Sequence, residues 1–127
     1  MRLRTQIVLL LCAVWFLPDQ AAATTCALLS YSVDDARSRL RRAANEDDLD
    51  NAKDHARRAK NALDDAAMAA LDCQCTVAYS EFDDAARRAR RARDADGAED
   101  FADQLNRAIR SYNSAIQALR TCRLSSQ

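Results

Sequence analysis

Cys73-Gln74-Cys75 is the point at which this chain begins to repeat itself. Shifted by 49 residues, the segment from Cys26 to Cys73 aligns without a gap on the segment from Cys75 to Cys122, with cysteine on cysteine at both ends. Asp34-Asp35-Ala36 falls on Asp83-Asp84-Ala85, Arg41-Arg42-Ala43 on Arg90-Arg91-Ala92, and Arg58-Ala59 on Arg107-Ala108. Arg39, Asp47, Asp54, Ala66 and Ala69 recur as Arg88, Asp96, Asp103, Ala115 and Ala118. Together with the cysteines these make 15 identities in 48 positions. Ala, Arg and Asp are common throughout, so the two cysteines in register carry most of the weight. The chain is read as one unit written twice, repeat one over 26–73 and repeat two over 75–122.

Each unit has the pattern of a helical hairpin. Leu29, Val33, Ala36, Leu40 and Ala43 recur at spacings of four and three, the apolar stripe of an amphipathic helix. The stripe stops at the acidic stretch Asn45 to Asp48, where Asp47 or Asp48 suits the N-cap of a second helix. That helix carries Ala52, Ala56, Ala59, Leu63, Ala66 and Ala70. The second unit repeats the plan with Ala78, Phe82, Ala85, Ala89 and Ala92, and then Phe101, Leu105, Ile109, Tyr112, Ile116 and Leu119. Between them Gly97, the sole glycine, fits a helix C-terminus or a turn. The fold expected is all-α, a small four-helix up-and-down bundle with all four cysteines at one end. The alternative is one long central helix flanked by two shorter ones, because no proline after Pro18 forbids fusion through Cys73-Gln74-Cys75.

Upstream of the repeats, the order of residue types is that of an export signal. Arg2 and Arg4 precede an apolar run of eleven residues, Ile7 to Leu17, much shorter than the roughly 20 a permanent membrane span needs. Pro18 should interrupt the helix, and Ala21-Ala22-Ala23 offers the small side chains a signal peptidase accepts, with cleavage after Ala23. Lipidation is disfavoured, since Leu11 and Thr25, not small residues of the kind that processing needs, precede Cys12 and Cys26. The division expected is therefore a leader over 1–23 and a single helical domain over 24–127. No stable membrane insertion follows cleavage, and the location expected is periplasmic or secreted.

Removing Arg2, Arg4 and Asp19 with the leader takes the 19 basic and 19 acidic residues to 17 and 18. A balance this close to neutral gives no general attraction to nucleic acid. Cys26, Cys73, Cys75 and Cys122 are an even set in a short exported chain, which reads as a disulfide framework. A hairpin brings its own ends together, so Cys26–Cys73 and Cys75–Cys122 is the pairing expected. Crossed pairing, Cys26–Cys75 with Cys73–Cys122, keeps the same thiols at one end. A Cys73–Cys75 bond would need a strained local turn. The helices of a hairpin are unequal, about 28 Å from Cys26 to Asn45 against about 36 Å from Leu49 to Cys73, so an unravelled end or a tilt must absorb the difference.

Few residues suggest chemistry. His55 is the sole histidine, no G-x-S-x-G elbow is present, and no C-x-x-C-H haem signature occurs. The C-x-C of Cys73 and Cys75 departs from zinc-pair spacing. The acidic doublets Asp34-Asp35, Asp64-Asp65 and Asp83-Asp84 place neighbours about 100° apart on a helix, which suits ion pairing better than concerted acid–base work. No cofactor and no enzymatic activity are expected. The densest basic run, Arg87 to Arg93, makes Arg87, Arg88, Arg90 and Arg91 the candidate anion-binding residues, with a weaker echo in Arg37, Arg39, Arg41 and Arg42. Three functions are compatible: a non-enzymatic interaction or structural protein that meets an unknown protein or envelope component, a thiol–disulfide or metal-handling protein acting through Cys73 and Cys75, and a polyanion binder using Arg87–Arg93.

Overall fold

The computed structural model of the chain describes residues 17–125, with side-chain surroundings for 26–122. Four helices follow one another: α1 over Leu17–Asn45, α2 over Leu49–Asp72, α3 over Thr76–Arg93 and α4 over Ala98–Ser125. They form an up-and-down bundle in which each helix packs closely on the next in sequence. The basic start and nearly all of the apolar run of the expected leader lie outside the described residues. Pro18 stands in the first described turn of α1, and Ala21-Ala22-Ala23 continues the same helix.

The turns show why the chain reverses where it does. At the first, Asp48 adopts extended backbone, its side chain accepts the Asn51 N–H at 2.9 Å, and its carbonyl accepts the Ala52 N–H at 2.8 Å. This is a side-chain N-cap, satisfying a donor that the helix itself cannot. In repeat two Gly97 occupies the corresponding place. Its carbonyl accepts the Phe101 N–H at 3.0 Å, so it opens α4 and does not close α3, which ends at Arg93 with Asp94 as its cap.

The junction of the repeats excludes the single long central helix. The Cys75 N–H donates to the Ala70 carbonyl and the Gln74 N–H to the Leu71 carbonyl, both at 2.9 Å, with Gln74 in the left-handed region at φ 64°. These paired bonds around a left-handed residue are a Schellman ending, which closes α2 and turns the chain before α3 begins. Glycine is the usual occupant of that position, and its absence is why the sequence left a fused helix open. The unequal lengths within the first hairpin are not absorbed by unravelling, because its two helices are helical throughout these spans.

Eighteen of the 27 buried apolar residues described are alanine. Methyl groups let helix axes approach toward the lower end of the roughly 8–10 Å range, and each contributes little burial. At the centre, Leu63 and Phe82 are fully buried, and the Phe82 ring meets that of Tyr112 edge-on at 6.2 Å. The Tyr112 hydroxyl donates to the Val33 carbonyl at 3.3 Å, tying α4 to α1. These four residues are counterparts in the repeat, Val33 with Phe82 and Leu63 with Tyr112, so one set of positions builds the middle of both hairpins.

Duplication makes α1 the counterpart of α3 and α2 of α4, so the seam between α2 and α3 corresponds to the seam between α4 and α1. The two are packed differently. α2 and α3 lie close along their length, whereas α1 and α4 approach one another at few points. Residue size accounts for it: Ala52, Ala56, Ala67 and Ala70 on α2 are matched by Phe101, Leu105, Ile116 and Leu119 on α4, and Ala86 and Ala89 on α3 by Arg37 and Leu40 on α1. Larger side chains at a helix contact go with wider axis separations, and the tight turn at 73–75 joins α2 to α3 but has no counterpart between α4 and α1.

Candidate functional site

The cysteine end is built by the hairpins themselves. Cys26 near the start of repeat one meets Cys73 at the C-cap of α2, with Cα atoms 5.4 Å apart and a disulfide between them. Cys75, directly before α3, is bonded to Cys122 in the last turns of α4, with Cα atoms 5.8 Å apart. Cys73 and Cys75 thus point to different hairpins and not to each other. Each bond closes a loop spanning 47 residues, for which chain entropy gives about 4 kcal/mol. The two bonds differ in access: Cys26 is exposed and Cys73 half-buried, while Cys75 is buried. Among the described residues, no three His, Cys, Asp or Glu side chains converge to hold a metal ion.

Charged residues are engaged locally. Asp35 pairs with Arg39 at 3.7 Å, Asp64 with Lys60 at 2.7 Å, and Asp83 with Arg87 at 3.4 Å, each one helical turn apart. Every ion pair described joins residues no more than four apart, so the pairs decorate helices and do not hold them together. The Arg57 guanidinium, donating to Asp54 at 2.7 Å, holds that carboxyl below its usual range, and Arg93 does the same to Asp94. Besides the Tyr112–Val33 bond, a second polar contact crosses between helices, the Ser111 hydroxyl donating to Asp84 at 2.5 Å. His55 is half-buried on α2 with its Nδ1 unpartnered, and Gln104, its counterpart in the repeat, has an unpartnered Oε1.

The candidate anion-binding run lies along the outer side of α3. Arg87 is taken up by Asp83 and Asp84, whereas Arg88, Arg90 and Arg91 have no carboxylate within 4 Å among the described residues. Arg87, Arg90 and Arg91 are exposed and Arg88 is partly covered, and none of the four lines a described depression. The arginines of α1 stand differently. Arg37 and Arg41, one turn apart, border a depression of about 250 Å³ in the open α1–α4 seam, above Leu40, Ile109 and Tyr112 and beside Asn45 and Asn113. Burial pushes the Tyr112 hydroxyl above its ordinary pKa; the charges of Arg37 and Arg41 oppose that shift and that of Asp34 adds to it. Arginine density marks the α3 run in the sequence, whereas position along a seam, which distinguishes Arg37 and Arg41, is not visible in that density. Comparing unlike residues across the repeat, Arg37 with Ala86 and Ile116 with Ala67, is the signal that points to them.

No helix among the described residues is long and apolar enough to cross a membrane. Compared with models of protein families, with characterised proteins and with solved structures, the chain shows no significant match.

Proposed function

We propose that the protein is an exported, non-enzymatic binding scaffold, a disulfide-braced bundle that works in the periplasm or secreted space and presents charged helix faces to a protein or envelope component. The observation that carries this reading is the consumption of Cys26, Cys73, Cys75 and Cys122 in two bonds at one end of the bundle. Such bonds persist in oxidising compartments and compensate a core of methyl groups. The basic, apolar and small-residue order of residues 2–23 supports the same route. A non-enzymatic role agrees with carboxylates that are engaged by neighbouring arginines and lysines one turn away.

The test is expression with the native leader in a bacterial host, followed by mass spectrometry of the exported chain and a thiol count under native conditions. The reading predicts a mature N-terminus between Ala22 and Thr25 and no reactive thiol. Retention of the leader, or thiols that alkylate without reductant, contradicts it. A second reading, thiol–disulfide exchange, is favoured by one observation, the exposure of Cys26 in the Cys26–Cys73 bond. It predicts that mild reductant opens this bond first while the fold persists. The polyanion reading draws on Arg88, Arg90 and Arg91, and predicts salt-sensitive heparin binding lost in their Gln variants.

A further inference from the structure

The seam between α1 and α4 is where the two repeats part company, and its middle has the composition of a ligand site. Leu40 and Tyr112 form a buried apolar floor, half-buried Ile109 forms one wall, and the exposed Arg37 and Arg41 stand one turn apart on the other. Among the described residues neither arginine has a carboxylate within 4 Å, whereas Arg39, Arg58, Arg87 and Arg107 are each paired with an aspartate one turn away. The remaining polar groups at the rim are the side-chain amides of Asn45 and Asn113, and no carboxylate lines this depression. We propose that this depression binds a small amphipathic anion, a carboxylate or sulfonate joined to a compact apolar body, with Arg37 and Arg41 on the acid group and Leu40, Ile109 and Tyr112 against the apolar part.

The occupant follows from size and charge. The volume of about 250 Å³ is just below the usual range of roughly 300–1,000 Å³ for small-molecule sites, and a protein partner needs about 800 Å² of surface. Guanidinium groups suit planar, bidentate oxyanions, and an apolar floor favours ligands that are more than an inorganic ion. Arg37 and Arg41 both line the depression, and Asp34, which shares a neighbouring hollow with them, does not. The site stands on the geometry of the seam and does not depend on the compartment in which the protein works.

The probe is 1-anilinonaphthalene-8-sulfonate, with the uncharged N-phenyl-1-naphthylamine as its control, titrated into the disulfide-intact protein and followed by fluorescence and by chemical shifts of the Asn45 and Asn113 side-chain amides. The expected result is saturable binding of one sulfonate per chain, weaker binding of the neutral analogue, and an affinity loss of roughly tenfold for each of Arg37→Gln and Arg41→Gln, the size of one charge-assisted hydrogen bond. Arg58→Gln is the matched control, since it removes the same single charge from an exposed site on α2 away from the depression. Circular dichroism verifies that the exposed substitutions leave the fold intact. Absence of saturable binding, a loss in Arg58→Gln equal to those of the α1 variants, or undiminished binding of the neutral analogue each overturn the proposal.

Discussion

Gly97→Asp should stabilise the protein, because repeat one shows what repeat two lacks. Asp48 caps α2 by accepting the Asn51 N–H at 2.9 Å, while its counterpart Gly97 brings only backbone to the start of α4. The substitution is sterically open. Gly97 does not have a positive φ, and a Cβ added to it meets nothing within 4 Å. An aspartate cap is worth a few tenths of a kcal/mol over glycine, and removing glycine from the unfolded chain adds roughly 0.4–1 kcal/mol. Glu99 and Asp100, already in the first turn, repel a further carboxylate and offset part of the gain at the helix dipole. The net is about 1 kcal/mol, which for a domain of this size raises the midpoint by about 4–8 °C. Thermal unfolding followed by circular dichroism, with both disulfides intact, measures it. Gly97→Ala separates cap from entropy, since alanine restricts the unfolded chain equally well and caps worse than glycine. The order expected is Asp above Gly, with Ala at or below Gly. An alanine variant as stable as the aspartate variant would refute the cap.

Three further outcomes follow from particular residues. Gln74→Gly should gain about 0.5–1 kcal/mol in urea unfolding, because glycine occupies φ 64° without the penalty a side chain meets there; Gln74→Val should lose at least as much. Replacing Cys75 and Cys122 together by serine should lower stability by about 4 kcal/mol, and a loss under 1 kcal/mol would show that the bond does not constrain the unfolded chain. Burial holds the Tyr112 pKa above the ordinary 10, so its contribution is complete below pH 10 and is lost as pH rises through the folded value. Alkaline unfolding midpoints should therefore move to higher pH in Tyr112→Phe, and an unchanged midpoint contradicts the assignment.

The hairpins and their stripes were legible because cysteines in register and apolar spacing are properties of the chain alone. Every alanine named in the second stripe is buried, as are Phe82, Leu105 and Tyr112. Less legible was the fourth helix, where Ile109 and Ile116 sat on the stripe yet are only half-buried, while Ala108 and Ala115 beside them are fully buried. A period of 3.6 does not say which neighbour a side chain at the edge of the stripe will meet. The Schellman ending at Cys73–Cys75 was hidden because glutamine carries no preference for left-handed backbone. The open seam is illegible for a different reason. Identities between repeats reveal the duplication, but the differences, alanine in one copy and leucine, isoleucine or arginine in the other, decide which seam closes.

The central claim is that each repeat closes on itself, Cys26 with Cys73 and Cys75 with Cys122. Ordinary tryptic mapping cannot separate this from crossed pairing, since only Gln74 stands between Cys73 and Cys75 and both fall on one peptide. A Cys26→Ser variant, alkylated under denaturing, acid-quenched conditions and read by tandem mass spectrometry, removes the ambiguity. The label is predicted on Cys73, with Cys75 still bonded to Cys122; a label on Cys75 would contradict the self-closed hairpin.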